Sequence, residues 1–536
     1  MNQLMRTKPA LLWAAMLCAA PAWAQATDQS VPKTTTDLSD AVESGPTNKE
    51  CEARVNDSVA KLLECIRKDP LWKTLSAFQD ISDAHPGSDG HGNRDTGSTG
   101  YKASVDHVAA RMRKAGYQVT IQKYNYTTSV VDGVPSFASS ERDFALGKEW
   151  FVARLSAGGT LSAPVQPVGG TGTGCRAEDF AGFAAGHVAL LQRGPCAYDA
   201  QVARAQAAGA KAVIIYNHRG ELPAASEADA VAEPAGAGSG GAFELRLTTP
   251  ATIPVIGAVS YAVGARLTQA HERGDAPVVR VDIRTRAQSG IDYNLIAESP
   301  FGDANSVVVV EGHLDAIYGA GMLDNASGSA TILEIALKLA KTPTVNKLRY
   351  VWFGGEEIGL LGSRYYTKNL TASQRDRIAF DIDADVTATP NFDYLVADPA
   401  NASNVDRFPD NVVPESKIGN QLFADYFASV GIPSRAASFG NDGTDSNSFS
   451  LIGIPNTGIL TQQNCCKQTW EVNIWGGVTG NYEGKIPSRD GGCVDRSHRW
   501  CDNLSNNDPV VLEVASKATA YTVFNLANHA FAARKR

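Results

Sequence analysis

A histidine and two aspartates lie close together at the end of an apolar run in the middle of the chain. Val307–Val310 is a run of four valines, His313 and Asp315 follow it, and Asp324 comes shortly afterwards. A buried strand with this ending would bring His313 and Asp315 to the carboxyl edge of a sheet, where Asp324 could join them from the next loop. Imidazole and carboxylate suit a borderline cation such as Zn²⁺. The spacing therefore predicts a metal site.

Later segments supply further candidate ligands. Glu356 and Glu357 follow a strand predicted at Lys347–Gly354, Asp385 follows a strand predicted at Ile378–Asp383, and His498 lies near the end of the chain. An adjacent pair of glutamates is usually a solvated turn and a lone histidine is usually a surface residue, so neither indicates a site alone. The carboxyl ends of parallel strands meet at one edge of a sheet, so three such strand ends together favour a metal site.

The elements that would position these residues change character along the chain. After about residue 288, apolar strands alternate with amphipathic helices, which predicts an α/β fold with a mostly parallel sheet flanked by helices. The middle of the chain instead has short apolar strands and a stretch rich in Gly, Ala, Pro and Ser at 232–242. We therefore expect a small β-rich domain at 141–285, inserted into a larger domain made of 51–140 and 286–536.

The amino-terminal residues read as a secretory signal. Arg6 and Lys8 precede a short apolar run, and Ala22–Ala24 is a small-x-small cleavage site. The run is too short to span a bilayer, and no later segment reaches about 18 apolar residues, so we expect no membrane span. Residues 1–24 are predicted to be a cleaved signal peptide and 25–50 a disordered leader. The protein is expected in the periplasm or outside the cell.

The charge of the chain limits the classes of binding partner, and its cysteine content indicates disulfides. The formal net charge is −8 with interspersed signs, which argues against nucleic acid or an anionic membrane as a partner.

Without Cys18 of the signal, the chain has an even number of cysteines, as expected for disulfides in an exported protein. The absence of a Cys-x-x-Cys pair disfavours a structural zinc site. Cys51–Cys65 and Cys175–Cys196 are the predicted pairs, and the pairing of the remaining four stays open: Cys465, Cys466, Cys493 and Cys501.

Taken in order, the candidate residues resemble the secreted and vacuolar di-zinc aminopeptidases with co-catalytic metals. The resemblance covers about 55–140 and 288–530, and it extends to Asn93–Tyr101, which is similar to the amino-terminal segment of that family. The segment from Cys175 to Asn217 resembles a protease-associated domain. The family resemblance implies a zinc-exopeptidase-like fold, with the protease-associated domain as the insertion.

The resemblance also implies a role for each candidate. It gives five ligands that hold two Zn²⁺ ions per chain: His313 and Asp385 on one ion, Glu357 and His498 on the other, and Asp324 bridging both. Glu356 would be the general base, which requires it to stay unligated. Asp315 would orient His313 from behind.

Two positions depart from the family pattern. Ser497 stands where secreted bacterial members often have Tyr, which puts that donor to the tetrahedral intermediate in doubt. Gly443 stands where members commonly have Arg, so a clamp on a substrate carboxylate is disfavoured.

The predicted function is an exported di-zinc metallo-exopeptidase that removes amino-terminal residues from peptides. A carboxypeptidase is the alternative, because the same metal core serves either end of a peptide. A non-catalytic binding or receptor protein on this scaffold is less favoured, since all five ligands and the base are present. We expect the insertion to act as a lid or scaffold that restricts the cleft, with docking of a partner as the alternative. The oligomeric state is not indicated by the sequence.

Overall fold

The structure, a computed structural model, describes most of the chain after residue 44. The described ranges are 45–87, 90–146, 149–170, 172–194, 196–217, 242, 245, 247, 250–317, 319–402, 405–437, 443–463, 467–480, 482 and 501–531. The predicted signal peptide, the larger part of the predicted leader, the candidate ligand His498 and three cysteines, Cys465, Cys466 and Cys493, lie outside these ranges.

The α-helices of this part of the chain are α1 (Asn48–Ala53), α2 (Val59–Leu63), α3 (Lys68–Asp83), α4 (Thr99–Ala115), α5 (Tyr198–Ala207), α6 (Tyr261–Glu272), α7 (Ser327–Leu339), α8 (Leu361–Lys368), α9 (Ala372–Arg377), α10 (Val412–Ser429), α11 (Ser446–Ser450), α12 (Thr469–Trp475) and α13 (Pro509–Ala527). Among the described residues, none of these helices is both long and apolar enough to cross a membrane.

The strands are β1 (Gln118–Val131), β2 (Ser136–Ser139), β3 (Gly159–Pro167), β4 (Val188–Gln192), β5 (Ala212–Tyr216), β6 (Val255–Val259), β7 (Val278–Ile283), β8 (Thr285–Glu298), β9 (Asp303–His313), β10 (Asn346–Phe353), β11 (Ile378–Ala384), β12 (Leu395–Ala397), β13 (Arg435–Ala437) and β14 (Asn456–Leu460). They form two separate sheets, one of eight strands and one of six.

The last residues of the predicted leader, which include 48–50, belong to the first helix instead. Helix α1 starts at Asn48 because Thr47 and Glu50 form a capping box, in which each side chain accepts a hydrogen bond from the other residue's backbone N–H. The predicted disulfide between Cys51 and Cys65 then ties α1 to the end of α2. The second predicted disulfide, Cys175–Cys196, is also present.

The eight-stranded sheet has the order β1-β8-β10-β9-β11-β14-β12-β13. Its centre is parallel, since β9 pairs in parallel with both β10 and β11, and β11 pairs in parallel with β14. The pairings of β8 with β1 and β10, and of β12 with β14, are antiparallel. The carboxyl ends of β9, β10 and β11 therefore reach the same edge, which is where ligands bind in open α/β sheets.

Both faces of this sheet are buried, which explains the continuous run of valines in β9. Val308 and Val310 pack into the larger core with residues of α3, α4, α7 and α13. Val307 and Val309 face the opposite side, where they pack with Phe353 and with Phe449 of α11. Alternating side chains of one strand thus enter two different cores, as in a parallel sheet covered by helices. The predicted α/β class is confirmed.

The six-stranded sheet, in the order β2-β7-β3-β4-β5-β6, is formed by the middle of the chain. The chain leaves the larger sheet through β1 and returns through β8. These two strands pair antiparallel along their whole length, from Gln118 opposite Glu298 to Val131 opposite Thr285. The predicted small β-rich insertion is therefore present, and it is attached through a long two-stranded ribbon.

Candidate metal centre

Three candidate ligands converge at the carboxyl edge of the parallel strands. His313 is the last residue of β9, Asp385 directly follows β11, and Asp324 lies in the turn that precedes α7. His313 Nε2 is 3.1 Å from Asp324 Oδ1 and 3.4 Å from Asp385 Oδ1. One ligand atom from each residue lies within 4.8 Å of the others, and all three residues are buried.

This donor set fits a zinc ion. Ligand atoms about 2.0–2.1 Å from a tetrahedrally coordinated zinc ion lie about 3.3 Å from one another, close to the separations observed here. His313 Nδ1 lies 3.1 Å from the backbone carbonyl oxygen of Asp315, a contact that assigns the proton to Nδ1 and directs Nε2 to the centre. Burial by itself lowers the pKa of the His313 imidazole, but Asp385 and Glu356 outweigh burial and raise that pKa well above its usual range. The electrostatic potential at the centre is therefore negative, which suits a cation.

The two glutamates lie beside these three ligands in different environments. Glu356 Oε2 is 4.0 Å from His313 Nε2, and the Glu356 side chain is almost fully buried. Glu357 is outside the group of three. Its Oε2 is 3.7 Å from Nη1 of Arg154, a residue of the inserted segment. The adjacent side chains thus point to different partners, as required if one is a base and the other a ligand.

Asp315 supports the site through the backbone of the glutamate pair. Its carboxylate accepts hydrogen bonds from the Glu356 N–H at 3.2 Å, from the Glu357 N–H at 3.4 Å and from the Thr96 hydroxyl at 2.7 Å. The same carboxylate is 3.6 Å from His313 Nδ1, and the backbone carbonyl of Asp315 accepts the hydrogen bond from His313 instead. Asp315 therefore couples the end of β9 to the turn after β10.

Asp502 holds Asp324 in place. Its carboxylate accepts the N–H of Leu323 at 2.9 Å and of Asp324 at 3.0 Å, and its own carbonyl accepts the Met322 N–H. The sequence segment containing Asp502 was singled out only for His498, so this residue was missed. Cys501 is disulfide-bonded, and its partner lies outside the described residues. The carboxyl-terminal segment is thus joined to the loop that carries Asp324.

Asn325 connects Asp324 to Asp385. Its side chain donates to the carbonyl of Ala384 at 2.9 Å and accepts the N–H of Val386 at 3.1 Å, on either side of Asp385. The approach is close enough that a Cβ on Gly328 would lie 2.0 Å from the Ala384 carbonyl oxygen. Glycine is therefore required at the start of α7, because any larger side chain would separate the two ligand-bearing segments.

A buried arginine braces the loop after β9. Arg94 is fully buried and donates hydrogen bonds to the backbone carbonyls of Leu314, Ala320 and Gly321 and to the Ser104 hydroxyl. Burial lowers the Arg94 pKa to about 10, so the guanidinium stays charged at neutral pH. In the sequence, Arg94 stands out only as part of the segment Asn93–Tyr101, and nothing there indicates this role.

A second group of carboxyls, the buried carboxyl cluster, comes from β9 and β11, just before the candidate ligands, and from the residue that precedes α11. Its members are fully buried: Glu311, Asp381, Asp383 and Asp445. In the described part of the chain, no Lys or Arg pairs with them, while the Thr444 hydroxyl donates to Asp383 at 2.7 Å. Burial raises the pKa of the first three well above the usual range and that of Asp445 to about 8. These groups are therefore largely protonated at neutral pH.

Comparisons with known proteins agree with this geometry. Residues 294–523 match the model of peptidase family M28, and residues 159–267 match the PA domain. An aminopeptidase of Pseudomonas aeruginosa is 32% identical over 477 residues, which cover 86% of this chain and 81% of the relative. The chain belongs to peptidase family M28. A probable lipoprotein aminopeptidase of Mycobacterium tuberculosis is 30% identical, over 85% of this chain and 84% of the relative.

Solved structures of two aminopeptidases share the fold. An aminopeptidase from Aneurinibacillus sp. strain AM-1 superposes with a TM-score of 0.63 at 19% identity, covering 89% of this chain and 98% of the other. A zinc aminopeptidase from Bacillus subtilis has a TM-score of 0.53 at 22% identity, with coverages of 86% and 96%. Membership of family M28 and the inserted PA domain are thus confirmed, as the sequence resemblance implied.

Proposed function

We propose that this protein is an exported zinc-dependent aminopeptidase that hydrolyses amino-terminal residues from peptides. The convergence of His313, Asp324 and Asp385 at one sheet edge is the observation that carries the proposal. Support comes from relatives that match over most of their length and are described as aminopeptidases.

Two zinc ions per chain would be held by the five ligands named from the sequence. His313 and Asp385 would hold one ion, Glu357 and His498 would hold the other, and Asp324 would be shared by both. Zinc, when bound, supplies a water of lowered pKa and a Lewis acid for the scissile carbonyl. Cleavage of residues 1–24 would release the protein into the periplasm or the medium, where the disulfide between Cys51 and Cys65 is stable.

Glu356 is the general base of the proposed reaction. It lies next to the ligands without belonging to the group of three, and Asp315 holds its backbone N–H. From this position the carboxylate takes a proton from the attacking water and passes it to the leaving amine. Glu357, the next residue, faces Arg154 instead and is proposed as a zinc ligand, not as the base.

The experiment that tests this function uses the full chain, produced by export and loaded with zinc. Aminoacyl p-nitroanilides and peptides blocked at either end are the substrates. An aminopeptidase should cleave peptides with a free amino terminus and leave amino-blocked peptides intact. The opposite pattern would make it a carboxypeptidase, and two bound zinc ions without cleavage at either end would contradict an exopeptidase.

The Glu356→Ala variant tests the assignment of the base. We expect kcat to fall by about 10²–10⁴-fold with zinc content unchanged, since Glu356 is not proposed as a ligand. Glu415→Ala, at an exposed position of α10, is the matched control and should behave as wild type. Zinc content measured by elemental analysis decides the outcome: loss of zinc from Glu356→Ala would show that Glu356 is a ligand.

A further inference from the structure

The inserted domain reaches the candidate metal centre through one side chain. Arg154 lies between β2 and β3, and its backbone N–H donates to the carbonyl of Leu245 at 2.9 Å. The neighbouring Ala153 N–H donates to the carbonyl of Val255 at 3.1 Å. The main chain at Arg154 is thus fixed to the inserted domain. Leu155 follows in the left-handed region, with φ of 62°, where the segment turns.

The Arg154 side chain leaves its own domain and contacts Glu357. Nη1 donates to the backbone carbonyl of Glu357 and lies 3.7 Å from Oε2 of the same residue. The side chains of Arg154 and Glu357 are 16% and 1% exposed, so water screens their charges weakly. One guanidinium therefore faces both the main chain and the carboxylate of a proposed ligand.

Glu357 is consequently held from two domains. Asp315 of the larger domain accepts its N–H at 3.4 Å, and Arg154 of the inserted domain donates to its carbonyl. A ligand must keep its orientation for a metal to bind tightly, and groups that orient ligands typically change metal affinity or activity by about 10–100-fold. Without Arg154, the Asp315 contact would still fix the N–H of Glu357, but the Glu357 carbonyl would lose its guanidinium donor.

We propose that the inserted domain completes the metal centre, with Arg154 as a positioning residue that holds Glu357 in its ligand orientation. Metal affinity at the Glu357 side of the centre therefore depends on the docking of the inserted domain. This inference rests on the proposed function in one respect, namely that Glu357 is a zinc ligand.

The test measures zinc affinity by competition with a chelating dye, together with zinc content, on the full chain. Arg154→Ala should weaken the binding of one zinc, the ion proposed at Glu357, by about 10–100-fold and leave the other zinc in place. Arg154→Lys should recover part of the loss, because one ammonium can reach the carbonyl but lacks the planar fork. Arg142→Ala is the matched control, since Arg142 belongs to the same domain and pairs with Glu149 at its surface.

A double-mutant cycle separates positioning from a general loss of folding. In a Glu357→Gln background, Arg154→Ala should have little further effect on zinc affinity, whereas independent effects of the two changes would overturn the proposal. Unchanged zinc affinity in Arg154→Ala, or a change in KM alone, would also overturn it. If wild-type protein itself binds no zinc or cleaves no peptide end, the proposed function fails instead.

Discussion

At the scale of single residues, the candidate centre depends on carboxylates that are not among the five candidate ligands. Asp315 accepts the N–H groups of Glu356 and Glu357, and Asp502 accepts those of Leu323 and Asp324. Each carboxylate therefore fixes the main chain at a proposed functional side chain. Ligand orientation in this site is set largely through backbone hydrogen bonds, which side-chain spacing in the sequence does not reveal.

The buried carboxyl cluster leads to a prediction about pH. Both carboxyl oxygens of Asp381 lack a hydrogen-bond partner, and burial raises its pKa well above the usual range. The unfolded chain ionises this group near pH 4, while the folded protein keeps it protonated. The folded state thus binds the extra proton, so the stability contributed by protonated Asp381 is present at low pH and is lost as pH rises.

Replacing Asp381 by Asn removes this titration. The measured quantity is the melting temperature of Asp381→Asn minus that of wild type, with both proteins loaded with zinc. We expect this difference to increase as the pH is raised from 5 to 8. Asp106→Asn, at an exposed position of α4, is the control and should show a constant difference. A difference for Asp381→Asn that does not depend on pH would contradict the assignment of a raised pKa.

At the scale of elements, the loop between β9 and α7 carries two of the candidate site residues. It holds Asp315 and Asp324, and it has little regular structure of its own apart from the turn Met322–Ala326. Its shape is imposed from outside, by Arg94 on one side and by Asp502 on the other. Elements distant in the sequence thus determine where the ligands lie.

Arg94→Met tests this bracing. The substitution removes the donors to the carbonyls of Leu314, Ala320 and Gly321, and a buried polar group left without a partner costs about 1–3 kcal/mol. We expect the free energy of unfolding of the larger domain to fall by about 3 kcal/mol, measured by urea denaturation followed by tryptophan fluorescence. Arg113→Met, at the exposed end of α4, should change it little. Equal stability of the two variants would show that Arg94 does not brace the loop.

At the scale of the whole molecule, the insertion and the metal centre are linked. The ribbon of β1 and β8 attaches the smaller sheet to the larger one, and Arg154 extends from the insertion to Glu357. The insertion was expected from sequence to act as a lid or scaffold, and the contact at Glu357 adds a direct connection to the proposed ligands.

Removal of zinc should affect both activity and folding. Zinc bound as proposed joins residues as distant in sequence as His313 and Asp385, which meet in the folded protein, so it should stabilise the protein by about 2.7 kcal/mol per site at 100 times Kd. Chelation should therefore abolish peptidase activity and lower the melting temperature, and added zinc should restore both. Calcium should restore neither, since it prefers six to eight oxygen ligands. A melting temperature that does not respond to the chelator would contradict a folded-state zinc site.

Much of the architecture was predictable because hydrophobic periodicity reports local structure directly. The run Val307–Val310 indicated a strand buried on both faces, and β9 is such a strand. The two disulfides followed from an even cysteine count and short separations. Periodicity is less informative about element ends: the apolar residues between Val55 and Phe78 follow a helical period, yet they are divided between α2 and α3, because Arg67 adopts an extended backbone between them.

By itself, the sequence determined the α/β class, the insertion and the ligand types at the strand ends, because each depends on residue type and local periodicity. It also indicated that His313, Asp324 and Asp385 would meet, since parallel strands share a carboxyl edge. Only the tertiary structure decided how the loop that carries Asp324 is held, through Arg94 and Asp502, and how Arg154 reaches Glu357. These are contacts between segments far apart in the chain, and hydrogen bonds of that kind leave no periodic pattern in the sequence.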